Sequence, residues 1–326
     1  LHLHAEISLK MREIKTFDII IPSYKPGKKF LRLFEMLKKQ KLPYNRLIVI
    51  NTEHKLMSEE IRDKLLADER TLLRDISAEE FDHAATRSLG VSLSEADAFI
   101  CMTDDAVPDN EELTKRLIEE LTKDTLAAMC YARQLAAPDA DEAERYVRIF
   151  NYPEVSCVKS KADKPRLGIK TYFASDVCCA YNREIFDSLG GFVDRAVFNE
   201  DMIYAAEAVN AGYRIVYAAE ARVVHSHNYT AMQQLHRNFD LGMSQAMHPE
   251  VFAGLKSEGE GLKLVKATAK HLITSGHAAE LPAFIWRTGF RYIGYRAGKL
   301  YDRLPKTAVR ALAMNKRFAY KLTELK

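Results

Sequence analysis

The sequence predicts an α/β fold, a mostly parallel sheet flanked by helices, followed by a helical C-terminal region. Three observations carry that prediction. Short, β-branched, almost uncharged runs alternate with amphipathic segments between residues 17 and 227. One of those runs, "FICM", is followed, one threonine later, by two adjacent acids, where the carboxyl end of such a strand faces a ligand. From Met232 onward the apolar spacing is helical and no strand pattern recurs.

Taken in order, "FDIIIPSY" (17–24) reads as the first buried strand. Phe30, Leu31, Phe34 and Leu37 give the stretch 28–39 a helical face. "RLIVINTE" (46–53) is the next strand, 58–66 a helix, "TLLRDIS" (71–77) a third strand and 83–94 a helix. "DAFICMT" (97–103) follows, then a helix over 110–122 and a strand at "LAAMCYA" (126–132). Residues 151–175, with "NYP", "DKP" and "LGIK", read as a long irregular excursion of the functional or mobile kind. "SDVCCAYN" (175–182) is a returning strand and "SLGGF" a turn. A helix over 201–211 is closed by Gly212, and "RIVYAAEARVVHSH" returns to the sheet. A division falls between 230 and 260, which separates residues 11–250 from a helical region, 251–326. Met11 is a candidate start, with the ten residues before it a leader or a remnant.

The chain has 326 residues, 47% of them hydrophobic, enough for a sizeable core. No apolar run approaches the roughly 20 residues that span a bilayer, and "LHLHAEISLK" has no secretory pattern. Five cysteines, an odd number without a CxxC pair, argue against a disulfide framework or a zinc site and for a reducing cytoplasm. The net charge of +3 is unevenly placed. Leu281 to the end carries eleven Lys/Arg against two Asp/Glu, a net +9, so the remainder is −6. Such a basic tail suits an anionic surface.

Four constellations could carry chemistry. Asp104 and Asp105 suit a hard divalent cation, Mg²⁺ or Mn²⁺, or serve the dipole of the helix that follows. Glu200 and Asp201 open a helix; they cap it, or supply a general base for a hydroxyl. His225 and His227, two apart at a strand end, share a face and can complete a metal shell, contact a phosphate or form a surface pair. His83 and Arg87, four apart, share a helix face, where Arg87 suits a diphosphate or plain solvent. There is no GxGxxG and no GxxxxGK[ST].

In their order along residues 17–250, "IIIPSYKPG", "TDDAVP", "LGGF", "NED" and the strand-end histidines resemble the family 2 glycosyltransferases, which have the nucleotide-sugar-binding GT-A fold. "FDHAATRSLG", "YARQLAAPDADEAERYVRIFNYP", "GIKTYFASDVCCAY" and "VVHSHNYT" are most similar to bacterial rhamnosyltransferases. Rhamnosyltransferases often carry Gln-Asp where Asp104-Asp105 stands, which points to Asp105 as the essential acid. "INTE" replaces an Asp-rich turn, and Ser88 a common Asn.

The resemblance implies a nucleotide-sugar-binding catalytic domain over 11–250. Pro22, Ser23 and Tyr24 would line the nucleoside pocket, with Glu53 and the auxiliary Asp104 beside them. Arg87 would face the diphosphate, and Gly190 and Gly191 would let backbone approach the sugar. Asp105 would hold the metal, with His225 or His227 as a further ligand. Asp201 would be the base, and Glu200 would orient the acceptor or the base. The expected reaction is metal-dependent inverting transfer of L-rhamnose from dTDP-β-L-rhamnose to a cell-surface or lipid-linked glycan. The alternatives are a galactofuranosyl or N-acetylhexosaminyl donor, or a catalytically silent nucleotide-sugar-binding scaffold. The tail interleaves Trp286, Phe290, Tyr292, Ile293, Tyr295 and Leu300 with Arg287, Arg291, Arg296 and Lys299. That pattern suits either peripheral contact with the inner face of the cell membrane or packing on the catalytic domain. It matches no nucleic-acid-binding fold.

Overall fold

The computed structural model describes residues 13–253 and 257–324; the question of a start at Met11 lies outside them. The first half alternates as its pattern requires: β1 (Phe17–Tyr24), α1 (Lys28–Lys38), β2 (Leu47–Thr52), α2 (Glu59–Leu66), β3 (Thr71–Ile76), α3 (His83–Ser92) and β4 (Ala98–Met102). Then come β5 (Val107–Pro108), α4 (Leu113–Thr122), β6 (Ala127–Leu135), α5 (Glu142–Asn151) and β7 (Cys157–Lys159). The stretch 151–175 is largely irregular, with β7, two single 3-10 turns and α6 (Lys164–Leu167) inside it. β8 (Cys178–Asn182), α7 (Arg183–Ser188), α8 (Glu200–Asn210) and β9 (Arg214–Val224) complete the sheet region.

The nine strands form one sheet in the order β3-β2-β1-β4-β8-β6-β9-β5, with β7 also on β9. β1, β2, β3 and β4 are parallel, as are β6 and β9, but β8 runs antiparallel to both its neighbours and makes the sheet mixed. The reversal has a physical consequence. The carboxyl end of β4 and the amino end of β8 meet at one edge, with Met102 opposite Cys178. Alternation splits the core: Ile19, Ile21, Val49 and Ile100 pack against α1, α2 and α4, while Ile20, Ile48, Phe99 and Tyr181 pack against α3, α7 and α8.

The regular elements described after β9 are all helices: α9 (Ala231–Met247), α10 (Pro249–Phe252), α11 (Ser257–Thr274), α12 (Leu281–Lys299), α13 (Lys306–Leu312) and α14 (Lys316–Glu324). The division at 250/251 falls inside α10, and Phe252 belongs to the main core. Packing runs across it. α9 and α12 lie backbone against backbone, so a Cβ added at Gly242, Gly294 or Gly298 would strike the facing main chain. α11 and α12 also reach α5: His271 pairs with Glu142 at 2.8 Å, and Arg287 pairs with Asp141. Phe318 and Ala319 of α14 share a small core with Val197, Phe239 and Met243.

Candidate active site

The first cluster forms where β1 and β4 end. The Tyr24 backbone N–H donates to Asp104 Oδ2 at 3.0 Å. Burial pushes the Asp104 carboxyl up to about 6, against the pull of that N–H. Asp105 turns the other way, toward the residues after β9. His225 Nε2 lies 3.4 Å from its Oδ1 and His227 Nε2 lies 3.2 Å from its Oδ2. The two imidazole Nε2 atoms are 3.1 Å apart. One ligand atom from each of Asp105, His225 and His227 falls within a 4.8 Å span. Burial would raise the Asp105 carboxyl, but the two histidines beside it outweigh that and hold it well below the usual carboxylate range. Burial lowers both histidines, His227 to about 4, which favours the neutral rings a metal requires.

The second cluster opens α8. Asp82 caps α3 by accepting from the Ala85 N–H, which sets His83 and Arg87 on the inward face of that helix. Arg87 is 3% exposed. Its Nε lies 3.0 Å from Asp176 Oδ2 and its NH1 2.7 Å from Glu200 Oε1. Asp176 precedes β8, accepts from the Tyr181 hydroxyl at 2.5 Å, and donates its backbone N–H to Asp201 Oδ2 at 3.0 Å. Burial, then Glu200, then Asp176 raise the Asp201 carboxyl well above its ordinary range. Two of these carboxylates pair with the one guanidinium, and the third, Asp201, lies beside them on the Asp176 N–H. That arrangement lets one of them hold a proton near neutral pH.

Gln134 of β6 joins the clusters. Its Oε1 lies 3.1 Å from His225 Nδ1, and its amide nitrogen donates to Ser175 Oγ at 2.9 Å, one residue before Asp176.

The expected residues therefore fall into two neighbouring groups, with exceptions. Ser23, Tyr24, Asp104, Asp105, His225 and His227 gather at one place, with Pro22 in the strand leading there. Glu200 and Asp201 stand beside Asp176. Arg87, expected to face a diphosphate, has its guanidinium held by Asp176 and Glu200. Glu53, at φ +67, ends β2, and its Oε1 accepts from the Ala78 N–H at 2.8 Å. Gly191, at φ +81, closes α7 by donating to the Phe186 carbonyl. A Cβ there would meet the Phe186 ring at 3.1 Å, so the core already uses its missing side chain.

Three residues were missed from sequence. Asp176 and Gln134 lie in apolar strand-like runs, and only their isolation as polar residues there marked them. Arg237 of α9 is the third. Its guanidinium lies 4.7 Å from the Phe198 ring centroid and 5.5 Å from that of Tyr229. Tyr229 in turn stacks on His227, ring centroids 4.8 Å apart. No described carboxylate forms an ion pair with Arg237.

The mixed sheet flanked by helices, with its helical C-terminal region, is a GT-A-like glycosyltransferase fold. The chain belongs to glycosyl transferase family 2, whose model matches residues 18–190. It is 35% identical over 305 residues to the O-antigen chain rhamnosyltransferase RfbN of Salmonella typhimurium, across 92% of this chain and 95% of that one. It is 33% identical over 308 residues to the O-antigen chain rhamnosyltransferase WbaN of Salmonella anatum, across 93% and 95%. These relatives make it a rhamnosyltransferase-like glycosyltransferase. Among solved structures, the mannosyltransferase PcManGT of Pyrobaculum calidifontis, in complex with GDP-Man and Mn²⁺, superposes with a TM-score of 0.58 at 13% identity, over 90% of this chain and 92% of that one. TarS 1-349 of S. aureus gives 0.51 at 13%, over 88% and 91%. Those two likenesses concern the fold alone.

Proposed function

We propose that the protein transfers L-rhamnose from dTDP-β-L-rhamnose to a hydroxyl of a growing polysaccharide or lipid-linked glycan, with inversion. The observation that carries this is the juxtaposition of two differently tuned acidic clusters at one sheet edge, linked through Gln134 and Ser175. The sugar is suggested by the two Salmonella relatives.

The donor set, one carboxylate and two neutral imidazoles with converging lone pairs, fits Mn²⁺ or Mg²⁺ at Asp105, His225 and His227. Such an ion, when bound, would neutralise charge developing on the departing nucleoside diphosphate. Arg237, between aromatic faces and without an ion pair to any described carboxylate, is the guanidinium available to the diphosphate while Arg87 is held by Asp176 and Glu200. Ser23 and Tyr24 border the nucleoside side. Asp201 accepts the acceptor hydroxyl's proton as the new C1–O bond forms and the C1–O bond to phosphate breaks. General-base help of this kind is worth about 10²–10⁴-fold. Glu200, held by Arg87, fixes the position of α8's first turn and of Asp201 with it.

Membrane contact belongs to the same proposal. No helix among the described residues is long and apolar enough to cross a membrane. Ile285, Trp286, Tyr292 and Ile293 on α12 are each more than half exposed, and α12 contains no acid. This face suits the headgroup region of the inner leaflet.

The test is a panel of nucleotide sugars with Mn²⁺ or Mg²⁺, followed for released nucleoside diphosphate and for the anomeric configuration of the product. Release of dTDP from dTDP-rhamnose with an α-linked product is expected. Preference for a galactofuranosyl or N-acetylhexosaminyl donor would overturn the sugar assignment. Binding without transfer to any acceptor and without donor hydrolysis would overturn the enzyme.

A further inference from the structure

We propose that Gln134 is a positioning residue that fixes the tautomer of His225, keeping the Nε2 lone pair aimed at the Asp105–His227 cluster. The inference rests on the metal reading above for its purpose, though its geometric claim does not need it.

The Gln134 side chain is buried and all its hydrogen-bonding capacity is used. Its Oε1 accepts from Arg148 NH1 at 2.6 Å and lies 3.1 Å from His225 Nδ1. Its Nε2 donates to the Tyr152 hydroxyl at 2.6 Å and to Ser175 Oγ at 2.9 Å. An amide's oxygen and nitrogen are ordinarily hard to tell apart. Here the choice is forced, because a guanidinium can only donate. Arg148 is itself pinned, its Nε donating to Glu144 Oε1 at 2.7 Å. Both atoms pinned to Oε1 must then be donors. His225 therefore carries its proton on Nδ1, and its Nε2 is the unprotonated nitrogen, 3.4 Å from Asp105 and 3.1 Å from His227. The chain Glu144–Arg148–Gln134–His225 runs from α5 through β6 to the end of β9. It orients a ligand before any ion arrives, as outer partners of metal-bound histidines do. His227 has a different support: its ring stacks on Tyr229, interplanar angle 24°. One imidazole is thus set by a hydrogen bond, the other by a ring face.

The experiment uses the full chain with Gln134→Met, which keeps the volume and loses the acceptor, and Gln134→Glu, which keeps the acceptor. Long-range ¹H–¹⁵N correlation of the histidine rings in metal-free protein reads the tautomer. Manganese titration followed by electron paramagnetic resonance reads the affinity. The parent should show His225 protonated at Nδ1, and Gln134→Met should lose that preference. Mn²⁺ affinity should fall about 10–100-fold in Gln134→Met and stay within about threefold in Gln134→Glu. A purely structural role would lower the melting temperature of both without separating their affinities. Should Gln134→Met fail to fold, Arg148→Met removes the group that forces the amide's direction and should give the same loss of Nδ1 preference. The proposal is overturned if the parent His225 is protonated at Nε2, or if Gln134→Met keeps the parent's tautomer and affinity. A parent that binds no Mn²⁺ while showing the Nδ1 tautomer would overturn the metal reading instead.

Discussion

The two acidic pairs, Asp104-Asp105 and Glu200-Asp201, look alike in the sequence and differ in what surrounds them. Asp105 meets two imidazoles and is held ionised, with its oxygens directed at a shared focus. Asp201 meets two other carboxylates across a buried arginine and is pushed toward keeping a proton. Carboxylates whose environments drive them in opposite directions divide the labour of a site: one stays charged, the other exchanges a proton. The identity of the residue sets neither role; the neighbours on adjacent strands do.

The largest effects should come from removing one charge from each pair. Asp201→Asn should lower turnover by about 10²–10⁴-fold and leave Mn²⁺ affinity unchanged. Asp105→Asn should weaken Mn²⁺ by about 10–100-fold or more, with turnover lost in parallel. Steady-state kinetics beside metal titration checks both. If Asp201→Asn also released the ion, the two clusters would be one, and the contrast would fail.

A smaller effect, on stability, should follow Arg87→Met. It leaves Glu200 and Asp176 buried without their cation, which costs about 3–5 kcal/mol when one partner of a buried pair is removed. The cost has a direction in pH. Burial, only partly offset by Arg87, raises the Asp176 carboxyl to about 6 in the fold, above its value in the unfolded chain. Stability from its protonated form is present at low pH and is lost as pH rises through about 6. Without Arg87 that loss should deepen, so urea midpoints of parent and variant should lie closer at pH 5 than at pH 7.5. An Arg87→Met protein of normal stability with a raised donor KM would return Arg87 to the diphosphate.

Most of the sheet was legible because β-branched, uncharged runs such as "FDIIIPSY" and "RLIVINTE" have few other uses. The reversal of β8 was not, since a buried strand flanked by loops carries no sign of direction. Asp105, His225 and His227 could be picked out as polar groups at strand ends, which is where open α/β sheets place ligands. The carboxylates around Arg87 were not legible for a physical reason: helical spacing shows that His83 and Arg87 share a face, not whether that face meets solvent or carboxylates. Asp176 and Gln134 escaped because their roles depend on strands distant in sequence.

The finest test of the contrast between the pairs is Asp176→Asn. The substitution keeps an acceptor for the Tyr181 hydroxyl and leaves the backbone N–H that reaches Asp201 in place. What it removes is one negative charge beside Asp201. A neighbouring anion disfavours ionisation of an acid, so its removal should lower the Asp201 pKa. A base with a lower pKa is deprotonated at lower pH. The acid limb of the kcat/KM profile should therefore move toward lower pH, while the plateau falls modestly because a weaker base pulls less on the acceptor proton. An unmoved limb would mean that the rate reports some group other than Asp201, and that the buried carboxylates serve only to seat α8.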